Sequence, residues 1–294
     1  MGYRTPLLLS VLIGGVVLVG GCGGPRSTVG PLERGLQAYD RGHYGAALAA
    51  FRQAVAAEPK NLVAKTNLAI TLQDLGRHAE ALSLYEELAH LRPDNPLPAI
   101  NRVVCLRELG RLEEAHAAVT GVEARWPASP YPAFNRGLLF EEQGLWEKAL
   151  EAHQEALTRA PQEAVIHYRL GLLYERLDEP DKALQAYTQA ILLKPTDPVT
   201  RLKLGELYAA RGQYSRAIRE YSKLTVLAPR ASHLYYRLAR LYRKQRRYEK
   251  ALEMLHRALE LEPTDERLRQ ELQEVLQDLV RSSHRVLEAA PSAG

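Results

Sequence analysis

Proline recurs along this chain at Pro59, Pro93, Pro127, Pro161, Pro195, Pro229 and Pro263, each 34 residues after the one before. Against a background of about 5% proline, six further hits at preset places have a chance probability on the order of 10⁻⁸. Proline lacks an amide donor and clashes with the preceding helical turn, so each one stops a helix. A chain stopped at equal intervals is built from copies of one short unit. Ala47, Ala81, Ala115, Ala149, Ala183, Ala217 and Ala251 keep the same step. Gly42, Gly76, Gly110, Gly144 and Gly212 mark a turn five residues before the alanine, where Asp178 and Arg246 stand in the other two copies.

Within a unit the apolar spacing is helical. In residues 200–209, Leu202, Leu204, Gly205 and Tyr208 share a helix face. A glycine turn follows, then a second helix through Ala217, Tyr221, Leu224 and Leu227 up to Pro229. Small residues at Gly35, Ala69, Gly137, Gly171, Gly205 and Ala239 let paired helices approach closely. Tyr174, Tyr208, Tyr242, Phe51, Tyr85, Tyr187 and Tyr221 supply bulk between neighbouring units. The abundance of Ala, Leu and Arg agrees, since these favour helix over strand.

These marks resemble the signature of tetratricopeptide repeats (TPRs), small–aromatic in the first helix and alanine–aromatic–proline in the second. The resemblance covers seven units, 28–61, 62–95, 96–129, 130–163, 164–197, 198–231 and 232–265. It implies an all-α, right-handed solenoid of helix-turn-helix repeats over 31–288. The third unit departs most, with Val103 at the small position and Val119 and Val122 in its second helix, which puts its local packing in question. Residues 266–287 carry Leu268, Leu272, Val275, Leu276 and Leu279 on one side and are expected to cap the last repeat. Residues 289–294 are expected to be a disordered tail.

The N-terminal segment is read separately. Leu7 to Val19 is a run of apolar and small residues, shorter than the roughly 20 that cross a bilayer. It fits the apolar region of a secretory signal. Val19-Gly20-Gly21-Cys22 then resembles the lipobox of bacterial lipoproteins: aliphatic, small, small, cysteine. That resemblance implies a signal peptide over 1–21, lipid on Cys22 and a flexible tether over 22–30. With Gly23 rather than aspartate after the cysteine, the outer membrane is favoured in a host that has two. An ordinary signal with an incidental cysteine, or an uncleaved anchor, is the other reading.

The rest of the chain offers no reaction chemistry. There is no G-x-x-x-x-G-K-[ST], H-E-x-x-H or G-x-S-x-G. The nine histidines are scattered, so neither a metal site nor a cofactor is expected. Cys105 is expected to pack as a small hydrophobe. The segment after Pro263 is expected to hold no enzyme domain.

Binding is then expected on the concave wall, which in TPR proteins is lined by the first helices. One residue before the small position stand Asn67, Asn101 and Asn135, then Arg169, Lys203 and Arg237. The resemblance implies that such asparagines pair with the backbone of an extended peptide, because an amide is both donor and acceptor. The three cations suit carboxylates of the same ligand. Packing by a consensus asparagine is the plainer alternative. Leu97, Ile100, Val104, Tyr131, Phe134, Leu138, Val165, Tyr168 and Leu172 are expected on the same wall as an apolar lining. Eight Lys/Arg between Arg230 and Lys250, Arg240 among them, lie interleaved with tyrosines against the single acid Glu249. This is read as a solvated face or a contact for an anionic partner rather than for nucleic acid. The expected function is a lipid-anchored adaptor of the bacterial cell envelope. TPR lipoproteins of this size include factors for pilus secretins and scaffolds for cell-wall or outer-membrane assembly. The alternatives are a regulatory subunit that completes a partner enzyme, or an anionic-ligand module using the seventh repeat.

Overall fold

The computed structural model describes the backbone of residues 29–289 and the side chains of residues 29–283. The expected signal peptide, Cys22 and the tether up to residue 28 lie outside the described residues. Among those described there are fifteen α-helices and no strand. The first four pairs are α1 (Pro31–Asp40) with α2 (Tyr44–Ala57), α3 (Leu62–Asp74) with α4 (His78–Leu91), α5 (Pro96–Glu108) with α6 (Leu112–Arg125), and α7 (Tyr131–Glu142) with α8 (Trp146–Arg159). The next three are α9 (Ala164–Arg176) with α10 (Pro180–Leu193), α11 (Pro198–Ala210) with α12 (Tyr214–Leu227), and α13 (Ser232–Lys244) with α14 (Tyr248–Leu261). Each repeat read from the prolines is one pair, and α15 (Glu266–Ala289) follows the last.

Turn chemistry sets these boundaries. After α1 the amide of Gly42 donates to Tyr39 O at 2.8 Å and that of His43 to Ala38 O at 2.9 Å, closing the helix with a left-handed residue. The same geometry recurs where no glycine stands. Asp178 and Arg246 have φ of 56° and 58°, and the next amide reaches back to Tyr174 O and Tyr242 O. Second helices stop at the proline-bearing turns, and first helices restart on caps such as Asn61 and Asp197, whose side chains accept from Ala64 N and Thr200 N. Pro31, Pro96 and Pro198 open helices at positions that need no amide donor.

The chain forms two compact units, one ending at Pro161 and one starting at Gln162. In the first, the apolar faces of the helices make one continuous core that runs from Ala47 and Phe51 through Tyr85 and Cys105 to Leu139. The third repeat is as well packed as the others: Val103, Val119 and Val122 are all buried. In the second unit the core is divided between repeats, around Tyr187, Tyr221 and Leu255. The aromatics there pack through the absence of a side chain opposite. A Cβ on Gly171 would fall 2.5 Å from the Tyr187 ring, and one on Gly205 would fall 2.6 Å from Tyr221. Tyr174 and Tyr208 lie half-buried, each beneath a cation eight residues on, Lys182 and Arg216, at 5.5 and 5.7 Å.

Three boundaries differ from the sequence reading. Val29 and Gly30, expected within the flexible tether, belong to the fold: Gly30 caps α1 and Arg34 donates to Val29 O at 2.8 Å. The capping helix extends beyond 287 to Ala289, so the expected tail loses its first residue to it. Residues 290–294 lie outside the described residues. The cap is seated by Leu268 and Val275, both buried, and by Arg243 of α13. That guanidinium meets Glu271 at 2.9 Å, Glu274 at 2.6 Å and Asp278 at 2.7 Å.

Candidate partner-binding surface

The first helices of the first unit place their asparagines inward. Asn67, Asn101 and Asn135 are all buried. The amide of Asn67 donates to Val63 O and that of Asn135 to Tyr131 O, each at 2.9 Å and one turn back on its own helix. This corrects the expectation of amides facing an open groove: all three are buried, those of Asn67 and Asn135 bond local backbone, and that of Asn101 lies against the Tyr85 hydroxyl. Ile100, Val104, Phe134 and Leu138 are corrected likewise, since all four are core residues. A helix face that meets two neighbours buries a wider stripe than one face of a periodic pattern suggests. Tyr131 and Leu97 remain half-buried.

In the second unit the equivalent column reaches solvent. Tyr168, Arg169, Leu172, Lys203 and Arg237 are half-buried and Arg240 is exposed, whereas Val165 is buried. The cations meet acids that the column alone did not reveal. Lys203 Nζ lies 3.3 Å from Glu175 and 3.9 Å from Glu206, and Arg237 lies 3.0 Å from Glu206. Tyr187 donates to Glu175 at 2.5 Å. Arg237 approaches the Tyr221 hydroxyl at 3.4 Å with its guanidinium 5.8 Å from the ring. Burial raises the Tyr187 phenol well above its ordinary value, and the Glu175 carboxylate pushes it further the same way. Burial also raises Tyr221, with Arg237 opposing. Both phenols therefore stay protonated, Tyr187 donating to Glu175 and Tyr221 accepting from Arg237. The Lys203–Glu206 pair was available from sequence as an i,i+3 pair on one helix; Glu175 and the tyrosines come from neighbouring helices.

The result is an alternating row of charges along α9, α11 and α13, held in place by phenols from below. It can exchange one of its own carboxylates for that of a ligand without leaving a cation unpaired. Arg240, stacked 5.7 Å from the Tyr236 ring, extends the row as an exposed charge. The basic run from Arg230 to Lys250 is otherwise spread out. Arg243 is committed to the cap, and Arg247 and Lys250 lie over Tyr242 at 5.0 and 5.9 Å.

Among the described residues no group of histidine, cysteine and acidic side chains is placed to hold a metal ion, and no helix is long and apolar enough to cross a membrane. Cys105 is buried, and burial pushes its thiol up to about 12.

Tetratricopeptide-repeat sequence profiles match residues 32–96, 72–130 and 105–164, and then 164–197 and 233–265. The stretch between the last two carries the same proline, alanine and glycine marks. No curated protein sequence matches the chain. Among solved structures it resembles the Cut9–Hcn1 hetero-tetramer of APC/C, with TM-score 0.59 and 17% identity over 86% of this chain and 50% of that one. It also resembles YrrB, described as a TPR protein with an unusual peptide-binding site, with TM-score 0.54 and 22% identity over 65% of this chain and 97% of that one. Human IFIT1 with m7Gppp-AAAA gives TM-score 0.58 and 20% identity over 88% and 63%. The chain thus spans half of the Cut9–Hcn1 chain and less than two thirds of IFIT1. Identities this low carry the fold alone. The profiles, the helix pairs and the seven-fold recurrence together make the chain a member of the tetratricopeptide-repeat family.

Proposed function

We propose that this protein is an interaction scaffold that takes an extended, acidic segment of a partner protein along the first helices of its second unit. The observation that carries this reading is the half-exposed row of Lys203, Glu206, Arg237 and Glu175, which ends in the exposed Arg240. A ligand carboxylate replacing Glu206 at Arg237 gains a charge-assisted bond, and the liberated glutamate stays paired with Lys203. Tyr168 and Tyr236 beside the row offer flat apolar surface for the ligand's side chains. YrrB, which has a peptide-binding site by its own description, shares the fold and supports a peptide ligand.

The same proposal places the protein at a bacterial cell envelope, held by lipid on Cys22, with its partner among envelope proteins. The support is the Val19-Gly20-Gly21-Cys22 motif after an apolar run. Several acyl chains, at about 0.8 kcal/mol per buried CH₂, would anchor it stably.

Two experiments test these parts separately. Arg237→Glu with Arg240→Glu should lower affinity for a captured partner at least tenfold, with the loss shrinking at high salt, because exposed pairs are screened over about 8–10 Å. Gln185→Ala, on an exposed face of α10, is the control. Unchanged binding by the double variant would remove the charge row from the site. Cys22→Ser should abolish incorporation of labelled fatty acid; a variant that is still acylated refutes the anchor.

A further inference from the structure

The outward ends of α10 and α12 differ from every other second helix. Leu192 and Val226 occupy the same position in consecutive repeats and are 66% and 79% exposed, the two most exposed large hydrophobics among the described residues. The other five repeats place Ala56, His90, Ala124, Thr158 and Glu260 there. Leu193 and Leu227, the next residues along, are exposed as well. An aliphatic patch set into solvent on a folded surface marks a contact site.

The charges around it have one sign. On α12, Arg219 and Lys223 precede Val226 at helical spacing, and Arg230 follows in the turn; all three are exposed. Lys194 does the same after Leu193. The acids of residues 188–231 are withdrawn and engaged. Asp197 caps α11, Glu220 is buried against Arg201 and reaches Lys223 at 3.2 Å, and Glu206 belongs to the row of charges described above. Toward the next repeat, Glu260 is paired with Arg257 at 2.6 Å.

We infer that this edge of the second unit, Leu192 and Val226 framed by Arg219, Lys223 and Arg230, docks on an anionic phospholipid surface. Protein interfaces are centred on aromatic, methionine and arginine side chains with little lysine. This patch has only aliphatic residues at its centre, surrounded by long exposed cations, of which Lys223 also touches the buried Glu220. That is the composition of a membrane-surface contact: apolar side chains enter between headgroups while lysine and arginine remain at phosphate level. The inference is independent of the peptide row, which lies on the first helices.

The test uses the full chain with vesicles of phosphatidylcholine alone or mixed equally with phosphatidylglycerol. A polarity-sensitive fluorophore is attached through Val226→Cys. Cys105 is buried and stays unlabelled, and the parent protein labelled in the same way corrects for Cys22. All variants share one N-terminal segment, so any attraction it contributes is common to them. The expected result is a blue-shifted, several-fold brighter emission on the anionic vesicles and none on the neutral ones. A probe at Glu249→Cys, at the start of α14, should not respond. Adding Arg219→Gln, Lys223→Gln and Arg230→Gln should raise the half-saturating lipid concentration at least tenfold. A silent Val226 probe, an equal response at position 249, or an equal response to soluble polyglutamate would overturn the inference. Arg237→Glu with Arg240→Glu should leave the response intact.

Discussion

His153 Nε2 lies 2.7 Å from Glu141 Oε1, with the imidazole fully buried. The same two repeat positions, 34 residues on, hold Tyr187 and Glu175, again joined by a hydrogen bond. His153 therefore fills an aromatic slot: a Cβ on Gly137 would meet its ring at 2.6 Å, and Phe134 lies 5.1 Å from it. His153→Tyr should fold with stability within about 1 kcal/mol of the parent, since the slot already has the tyrosine form in the next repeat. His153→Ala should cost about 2–4 kcal/mol, because it opens a cavity and removes a partner of a carboxylate. Urea denaturation of both variants checks this; equal losses would mean that the slot is specific for imidazole.

The left-handed turn residues give a stabilising change. Arg246 holds φ of 58° where five other repeats have glycine. A non-glycine residue in this region costs about 1–2 kcal/mol, and glycine returns part of that as unfolded-chain entropy. Arg246→Gly should stabilise the protein by roughly 0.5–1 kcal/mol, read as a higher denaturation midpoint. Asp178→Gly should gain less, because aspartate tolerates this conformation better than arginine.

Arg243 is the charged tie between α13 and the cap, beside the weaker contact of the Tyr236 hydroxyl with Glu271 at 3.4 Å. Arg243→Leu leaves Glu271, Glu274 and Asp278 facing one another without their shared cation. The pairs are partly solvated, so the loss should be about 1–2 kcal/mol rather than that of a buried pair. Hydrogen exchange should quicken by roughly tenfold over residues 266–283, with α11 and α12 unchanged. Uniform quickening across the second unit would show that the cap does not open by itself.

The thiol of Cys105 titrates at about 12 through burial, above its ordinary value of 9.0. Its neutral form is the one the fold favours, so this contribution is complete below pH 9 and declines as pH rises through that value toward 12. At pH 8 a maleimide should label Cys105 only on global unfolding, with the labelling rate following the urea transition. Rapid labelling of the native protein would place the thiol at the surface.

The repeat frame was legible because proline, glycine and alanine act through the backbone, and their effect does not depend on what surrounds them. Side-chain roles were harder. Asn67 and Arg237 hold the same repeat position, yet one is buried and the other reaches solvent, and only the neighbouring helices distinguish them. The role of Glu175 is not legible in the sequence because its partners, Tyr187 and Lys203, come from two other helices. The departures of the third repeat compensate one another. Val103 and Val119, 16 residues apart, stand at the two positions that Gly35 and Phe51 hold in the first repeat. A larger residue takes the small position and a smaller one the aromatic position, and both are buried in one core.

That matching extends to the other repeats. Gly35 faces Phe51, Gly137 faces His153, Gly171 faces Tyr187 and Gly205 faces Tyr221. The two halves of a repeat are thus fitted to each other. A recombination event that joins the chain at its prolines carries each small residue along with the large one that fits it. A crossover at the glycine turn would separate them, setting Val103 against a tyrosine or Gly137 against a valine. Whole repeats are therefore the interchangeable units of this fold, whereas exchanged half-repeats would create overlap or a void.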